Sequence, residues 1–326
     1  MKKIIQIEPW INQDELEELK KVITSTFVTE SELSKEFEEL TSAYTNSNYS
    51  ISICNGTCAL FCCLKALNIG TGDEVIVPNL TFIATATAVI LSGAKVRLVD
   101  VNPITGCMDP INLLSNITSR TKAIIPVHLY GISCDMDEIM SIALKKKIFV
   151  IEDAAQGVGV KYKNKHVGTF GSFGVLSYYG NKTITTGEGG MVLTNNATLS
   201  KKIYMLKNHG RSQKGTFSHE TIGWNFSFTE MQAALGISQM NKLKSIIKIK
   251  KNIYDFYKMN LKNEKLFMRT IPNETTNPVH WFSNIHCQNA ENLQLFLKKF
   301  DIPSRRLFLP LNKQPCFKNK KEICNS

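Results

Sequence analysis

Between about residues 50 and 195 the chain repeats one alternation, a short and almost wholly apolar run followed by an amphipathic stretch. The runs are DEVIVP, AKVRLVD, TKAIIPVH, IFVIEDAA and FGVLSYY; the stretches between them include GTCALFCCLKALNI, TATAVILSG and MDEIMSIALKKK. Strands that are apolar on both faces must be covered on both faces, and the fold that does this is an α/β sheet with mostly parallel strands. Ligands in such sheets gather at the carboxyl ends of the strands. The polar residues that follow the apolar runs are therefore the ones to examine for chemistry.

Further along, MVLTNN reads as another strand and NATLSKKIYMLKNHG as a helix ending at a glycine. A long helical stretch follows in SFTEMQAALGISQMNKLKSIIKIKKNIYDFYKMNL, with Ser227 or Thr229 as its N-cap. It leads to VHWFSNIHC, read as a strand, AENLQLFLKKF, read as a helix, and the extended IPSRRLFLP; the polar tail KNKKEICNS is expected to fray. A chain of 326 residues exceeds the size at which one core stops growing. Two domains are expected, a large one with the N-terminal segment over 1–244 and a small α+β one over 245–326.

An apolar content of 43% is ordinary for a globular chain, and acids interrupt the basic start MKKIIQIEPWINQDELEELKK before any long apolar segment forms. No signal peptide and no membrane span are expected, which points to the cytoplasm. Nine cysteines fit a reducing compartment. Cys54, Cys58, Cys62 and Cys63 have helical spacing, but no second ligand group stands nearby at zinc-site spacing, so no metal is expected. The formal charge of +11 is spread along the chain without the aromatic-basic motif of an RNA-binding module. Nucleic acid is thus not the expected partner, whereas a diffuse positive field suits a small anion such as a nucleotide diphosphate.

Four local features bear on chemistry. In ICNGTCAL a Gly-Thr pair, Gly56 and Thr57, opens a helix, where free N–H groups, a hydroxyl and the helix dipole receive a phosphate; many such starts bind nothing. In VPNLTFIATATA, Phe82 sits between a strand and a helix, as a core residue or as a stacker on a planar ring. In FVIEDAAQ, Asp153 ends a buried strand; it either caps a following helix or pairs with a cation such as a protonated pyridine nitrogen, with Gln156 one turn later beside a ring oxygen. In SYYGNKTITTGEGG, Ser177 offers a second phosphate hydroxyl, and Lys182 is either a solvated turn lysine or an amine that bonds a carbonyl. Phosphate cradle, aromatic stacker, carboxylate and lysine on one sheet match the needs of pyridoxal 5'-phosphate (PLP).

The segments NGTCAL, GDEVIVPNLTFIATA, IIPVHLYG, DMDEIM, IEDAAQ, GNKTITTGEGGMV, NHGR and GWNFSFTEMQAALG together resemble the DegT/DnrJ/StrS family of nucleotide-sugar aminotransferases, from about residue 8 to 318. The resemblance implies a type I, aspartate aminotransferase-like PLP fold and a homodimer with active sites at the interface. It implies that Lys182 bonds the cofactor aldehyde, Asp153 pairs with the pyridine nitrogen, Gln156 contacts the ring hydroxyl and Phe82 stacks on the ring. Gly56, Thr57 and Ser177 would hold the phosphate, with Asn225 reaching the phosphate of the neighbouring subunit.

Within the family, YYGNKTITTGEGG and IPSRRLFLPLNKQP are similar to the GDP-perosamine synthases of O-antigen and polysaccharide biosynthesis, which suggests Arg305 near the sugar or its diphosphate. The expected reaction moves an amino group from glutamate to C4 of a nucleotide-linked 4-keto-6-deoxyhexose. Two departures stand out: Asn312 replaces a usual histidine, and Ser227–Phe228 replace an Arg-Met pair. The chain also stops soon after KQPCFKN, so a shortened small domain is expected. The alternatives are a dTDP-4-keto-6-deoxyglucose 4-aminotransferase and a catalytically impaired homologue with a binding or regulatory role. A sugar dehydratase on the same scaffold is disfavoured, because those relatives carry histidine in place of Lys182.

Overall fold

The computed structural model describes residues 5–213, 215–261 and 263–318, together with the backbone of Ile323–Cys324. Its centre is one sheet built from β1 (Tyr49–Ile53), β2 (Glu74–Pro78), β3 (Lys95–Val99), β4 (Thr121–Ile124), β5 (Phe149–Asp153), β8 (Phe173–Ser177) and β9 (Gly190–Thr194). The spatial order is β1-β9-β8-β5-β4-β2-β3, and the backbone of β13 (Ile323–Cys324) pairs outside β3. The rest of the tail expected to fray, beyond Lys318, lies outside the described residues. All neighbouring strands are parallel except around β9, which runs antiparallel to both β1 and β8. The fold is thus the α/β architecture with a mostly parallel central sheet that the sequence predicts.

Two cores lie on the two faces of this sheet, and the strand period of two sorts residues between them. Ile76, Val99, Ile124, Val150 and Leu176 face one core. Val75, Val77, Leu98, Ala123, Ile125, Ile151 and Val175 face the other. The second face is covered by α3 (Gly56–Ala66), α4 (Ala84–Ser92) and α7 (Ala197–Lys207). The first is covered in part by α2 (Glu32–Thr45), α6 (Met136–Lys146) and α8 (Glu230–Asn260). Each fully buried aliphatic side chain contributes roughly 1.5–3 kcal/mol relative to exposure.

The caps are local and explicit. Asn55 Oδ1 accepts the Cys58 N–H at 2.9 Å and starts α3. Thr229 rather than Ser227 caps α8, through a capping box in which Thr229 Oγ1 accepts the Gln232 N–H and Gln232 Oε1 accepts the Thr229 N–H. Helix α2 has no such local cap, because Ser31 makes no side-chain bond there. Glu230 of α8 supplies it instead, accepting the N–H groups of Ser31, Leu33 and Ser34 at 2.7–2.9 Å. Helix α1 (Gln13–Ser25) also rests on α8, where Glu15 accepts from Ser238 Oγ at 3.0 Å and from Gln239 Nε2 at 2.7 Å.

Helix α8 runs unbroken through 244/245, where the division between a large and a small domain is expected. Beyond it lie the antiparallel pair β10 (Leu266–Met268) and β12 (Ile285–Cys287), helix α9 (Ala290–Lys298) and an extended stretch over 302–310. Strand β11 (Thr275–Asn277) pairs with the hairpin of β6 (Lys161–Tyr162) and β7 (Lys165–His166), tying this part to the central region. One expectation needs correction: of VHWFSNIHC only Ile285–Cys287 is strand. Its first half turns away to pack Trp281 into the core, with the Trp281 N–H donating to Val279 O at 2.7 Å.

At the amino end of β2, away from the strands' carboxyl ends, Glu74 is fully buried. It accepts from Arg97 Nε at 2.9 Å, Arg120 Nη2 at 2.5 Å and Thr118 Oγ1 at 2.8 Å. Burial opposes its ionisation, but the bonds from Arg97, Thr118 and Arg120 outweigh it and hold the carboxyl at about 2. Because the folded value lies below the ordinary 4.5, the stabilisation is complete above pH 4.5 and is lost as pH falls from there toward 2. Glu74→Gln is expected to cost about 2–3 kcal/mol at pH 7. It should also flatten the acid limb of the stability curve, and urea titrations across that pH range check both effects.

Candidate active site

Three strand ends meet where α3 begins. Gly190 of β9 pairs with Ile53 of β1 on one side and with Ser177 of β8 on the other. A Cβ at Gly190 would stand 2.6 Å from the Asn55 carbonyl carbon, so only glycine lets β9 pass this close. A Cβ at Gly56 would meet Ser177 Cβ at 3.2 Å, which brings the predicted Gly56 and Ser177 together. Thr57 follows in the first turn of α3, whose leading N–H groups have no partner within the helix. Backbone N–H groups of a helix N-terminus and the Ser177 side chain thus stand together in one small cradle, with Thr57 in the same first turn.

The adjacent strand β5 ends in two carboxylates that alternation sends to opposite faces. Glu152 is fully buried and accepts the N–H groups of Gly168 at 2.7 Å, Phe170 at 2.6 Å and Gly171 at 2.9 Å. It also pairs with His128 Nε2 at 3.0 Å. Since the Cys134 N–H donates to His128 Nδ1 at 3.2 Å, the ring proton sits on Nε2 and points at the carboxylate. Burial would raise the Glu152 pKa, but His128 and the backbone donors outweigh it and the carboxyl is held below its ordinary value.

Asp153 faces the other way, toward α4. Its Oδ2 accepts from Thr85 Oγ1 at 2.7 Å and its Oδ1 accepts the Ala155 N–H at 3.1 Å. The segment after it, 154–160, forms turns and no helix, so Asp153 caps no helix and Gln156 is not one helical turn along. Gln156 is buried, its Oε1 accepting the Tyr130 N–H at 2.6 Å. Tyr130 itself sits in the left-handed region at φ 55°. Phe82, between β2 and α4, is 53% exposed, and its ring lies 5.7 Å from Phe308. A half-open aromatic face at a strand end is the condition for stacking on a ligand, and it is unlike a core residue.

Lys182 stands in the loop between β8 and β9. That loop is closed by Tyr178 N–H to Gly189 O and Thr186 N–H to Tyr178 O, each at 2.9 Å. Gly187 makes its turn at φ 82°. The lysine is no solvated turn residue. Burial pushes its amine down to about 8; Asp153 opposes this and Arg305 adds to it. Arg305 lies with its guanidinium 4.6 Å over the Phe282 ring, so the structure brings it to the same site. Asn225 is exposed, its backbone bridging Asn208, while the next residue, Phe226, accepts the Cys54 N–H at 3.0 Å.

Sequence reading missed Thr85, Tyr130, Trp281 and the His128–Glu152 pair. The i, i+4 spacing of Thr81 and Thr85, whose hydroxyls lie 3.0 Å apart, was the one signal available for the first. Chemically, an amine near neutrality is at once a nucleophile and a proton carrier. The charge of Asp153 acts on it from the floor of the site. These groups fit PLP: the cradle suits a phosphate, Phe82 a ring face, Asp153 a cationic nitrogen and Lys182 an aldehyde. Among the described residues no cluster of three or more His, Cys, Asp or Glu is placed to hold a metal, and no helix is long and apolar enough to cross a membrane.

The profile of the DegT/DnrJ/EryC1/StrS aminotransferase family matches residues 9–325. The chain is 37% identical to a GDP-perosamine synthase of Escherichia coli over 98% of its own length and 88% of that protein's. It is 36% identical to a UDP-2-acetamido-2-deoxy-3-oxo-D-glucuronate aminotransferase of Pseudomonas aeruginosa, over 88% of this chain and 79% of that one. Its fold is similar to the crystal structure of S. venezuelae DesV in complex with a ketimine intermediate, with a TM-score of 0.91 and 30% identity over 94% of this chain and 83% of that one. Matched by the family profile over nearly its whole length, the chain belongs to the DegT/DnrJ/EryC1/StrS aminotransferase family and is a PLP-dependent sugar aminotransferase.

Proposed function

We propose that the chain transfers an amino group from glutamate to C4 of GDP-4-keto-6-deoxymannose, yielding GDP-perosamine in cytoplasmic polysaccharide synthesis. The observation that carries the site assignment is Lys182, half-buried in the loop at the strand ends, where burial brings its amine down to about 8 against the charge of Asp153. The GDP sugar is supported by the near full-length likeness to a GDP-perosamine synthase and by the arginine-bearing segment at Arg305. A second reading, a UDP-linked 3-oxo sugar as acceptor, is favoured by the similar identity to the P. aeruginosa enzyme. Asn312 keeps a dTDP-linked 4-keto sugar in the comparison, since its amide replaces an imidazole.

In this reading Gly56, Thr57 and Ser177 would hold the cofactor phosphate, Phe82 would cover the ring and Gln156 would bond the ring hydroxyl. Asp153 keeps the pyridine nitrogen protonated, steadied by Thr85. Bound PLP supplies an electron sink for the amino carbon. Lys182 would hold the aldehyde and, when free, its Nζ would carry a proton between carbon atoms, a task suited to a pKa near ambient pH. Arg305 offers a planar fork to diphosphate oxygens. Asn225, exposed within one chain, completes the phosphate site of a second copy in a homodimer.

Borohydride reduction of the cofactor-loaded protein is expected to label Lys182, and peptide mapping that finds the label on another lysine refutes the assignment. Cofactor capture should speed up about tenfold per pH unit below 8 and level off above it, as the neutral amine accumulates. For the substrate, glutamate-dependent amination of the GDP-, dTDP- and UDP-linked keto sugars under identical conditions is expected to favour the GDP sugar by at least about tenfold, some 1.4 kcal/mol in transition-state binding. Preference for either other sugar overturns the substrate alone. For the dimer, mixing inactive Lys182→Ala with a variant disabled at Asn225 should restore part of the activity through hybrids with one intact site; no recovery after proven subunit exchange means that each site is built within one chain.

A further inference from the structure

We infer that Trp281 is a positioning residue for Lys182, holding the loop backbone through its indole N–H and the free ammonium against its ring face. The role rests on the reading of Lys182 as the cofactor lysine. Two contacts of different kinds converge on adjacent residues. The Trp281 Nε1–H donates to the carbonyl of Asn181 at 2.5 Å, and Lys182 Nζ lies 4.6 Å from the centroid of the same indole. One contact fixes where the lysine's backbone begins and the other where its amine rests.

The indole is itself held firmly. It is 5% exposed, it stacks on Tyr130 at 5.5 Å and 25°, and it packs against Phe282 at 4.5 Å. Its segment is locked to the Tyr130 turn, where the Val279 N–H donates to Gly131 O at 3.1 Å and a Cβ at Gly131 would stand 1.6 Å from Val279 O. Tyr130 in turn donates its N–H to Gln156. Trp281 thus spans from the Gln156 side of the site to the lysine loop, and of its two contacts the one to the Lys182 amine goes beyond what a buried indole needs.

The chemical consequence concerns the lysine when it is not bonded to the cofactor. A flexible side chain of four carbons, once released, has many rotamers in which it misses its proton transfer. The π face favours one of them, and it favours the charged form. Asp153 acts in the same direction on the charge, whereas burial and Arg305 act against it. Indole thereby offsets part of the desolvation that would otherwise leave the amine neutral and mobile.

The test uses the full chain freed of cofactor, with the Lys182 midpoint read from trace acetylation against pH and peptide mapping. Replacing the three tryptophans by mono- to tetrafluorotryptophan keeps the indole N–H while weakening the π face step by step; Asp153 and Arg305 are untouched. The expected result is a midpoint that falls from about 8 in steps with fluorine number, by about half a unit to one unit in total, a three- to tenfold change in amine fraction. A midpoint indifferent to fluorination overturns the ring contact. Trp281→Phe keeps a ring and loses the N–H, and amide exchange over 181–183 is expected to quicken about fivefold. Unchanged exchange there overturns the backbone contact. If borohydride labels a lysine other than Lys182 in the parent, the reading of Lys182 fails and this role falls with it, whatever the midpoint does.

Discussion

A carboxylate with no solvent contact stays charged only if donors surround it, and Glu152 has four: three backbone N–H groups from 168–171 and the His128 ring. The donors come from the 168–171 turn and from the segment after β4, which backbone bonds already lay alongside β5. The carboxylate therefore adds side-chain bonds that tie the 168–171 turn and His128 to β5, whose ladders with β4 and β8 set its orientation. With a period of two, fixing Glu152 on one face fixes Asp153 on the other. The acid that faces the cofactor site is aimed by the same strand that buries the acid that never meets it. Replacing one of those donors or the carboxylate leaves buried polar groups unpaired, at about 1–3 kcal/mol each.

The second constraint is steric. β9 is antiparallel in an otherwise parallel sheet, so its first residue rather than its last lies at the strand ends where ligands collect. That placement is tolerable only because Gly190 has no side chain to meet Asn55. The loop before it, which carries Lys182, is consequently anchored at one end by Ser177 and at the other by Gly190, the two residues flanking the cradle. The lysine loop and the cradle proposed for a phosphate are thus anchored on the same pair of strands.

Much of this was legible in the chain itself. The buried strands announce themselves because both faces are apolar, and Thr229 caps α8 by chemistry that lies within four residues. Lys182, Asp153 and Ser177 stand out because charge and hydroxyls follow apolar runs. What was not legible depends on partners far away in sequence. Thr85 looks like any helix threonine until Asp153 is placed opposite it. Glu152 reads as half of an acidic pair, and nothing local says which face each member takes. Trp281 sits in a segment with strand-like composition, yet packing against Tyr130 overrides that propensity. The turns after Asp153 replace an expected helix because 154–160 is spent wrapping toward β6, a tertiary demand that local propensity does not record.

The cap that Glu230 places on α2 has a consequence for biosynthesis. Its bonds join residues 196–199 positions apart, and Glu15 of α1 reaches Ser238 and Gln239 across 223 and 224. Helices α1 and α2 therefore wait for a segment made about two hundred residues later before these contacts can form. Contacts so distant carry a closure entropy that must be met before any packing rewards it, and they slow folding. Until α8 emerges, the faces of α1 and α2 that rest on it are unsheltered on the nascent chain, although both helices are made about two hundred residues earlier.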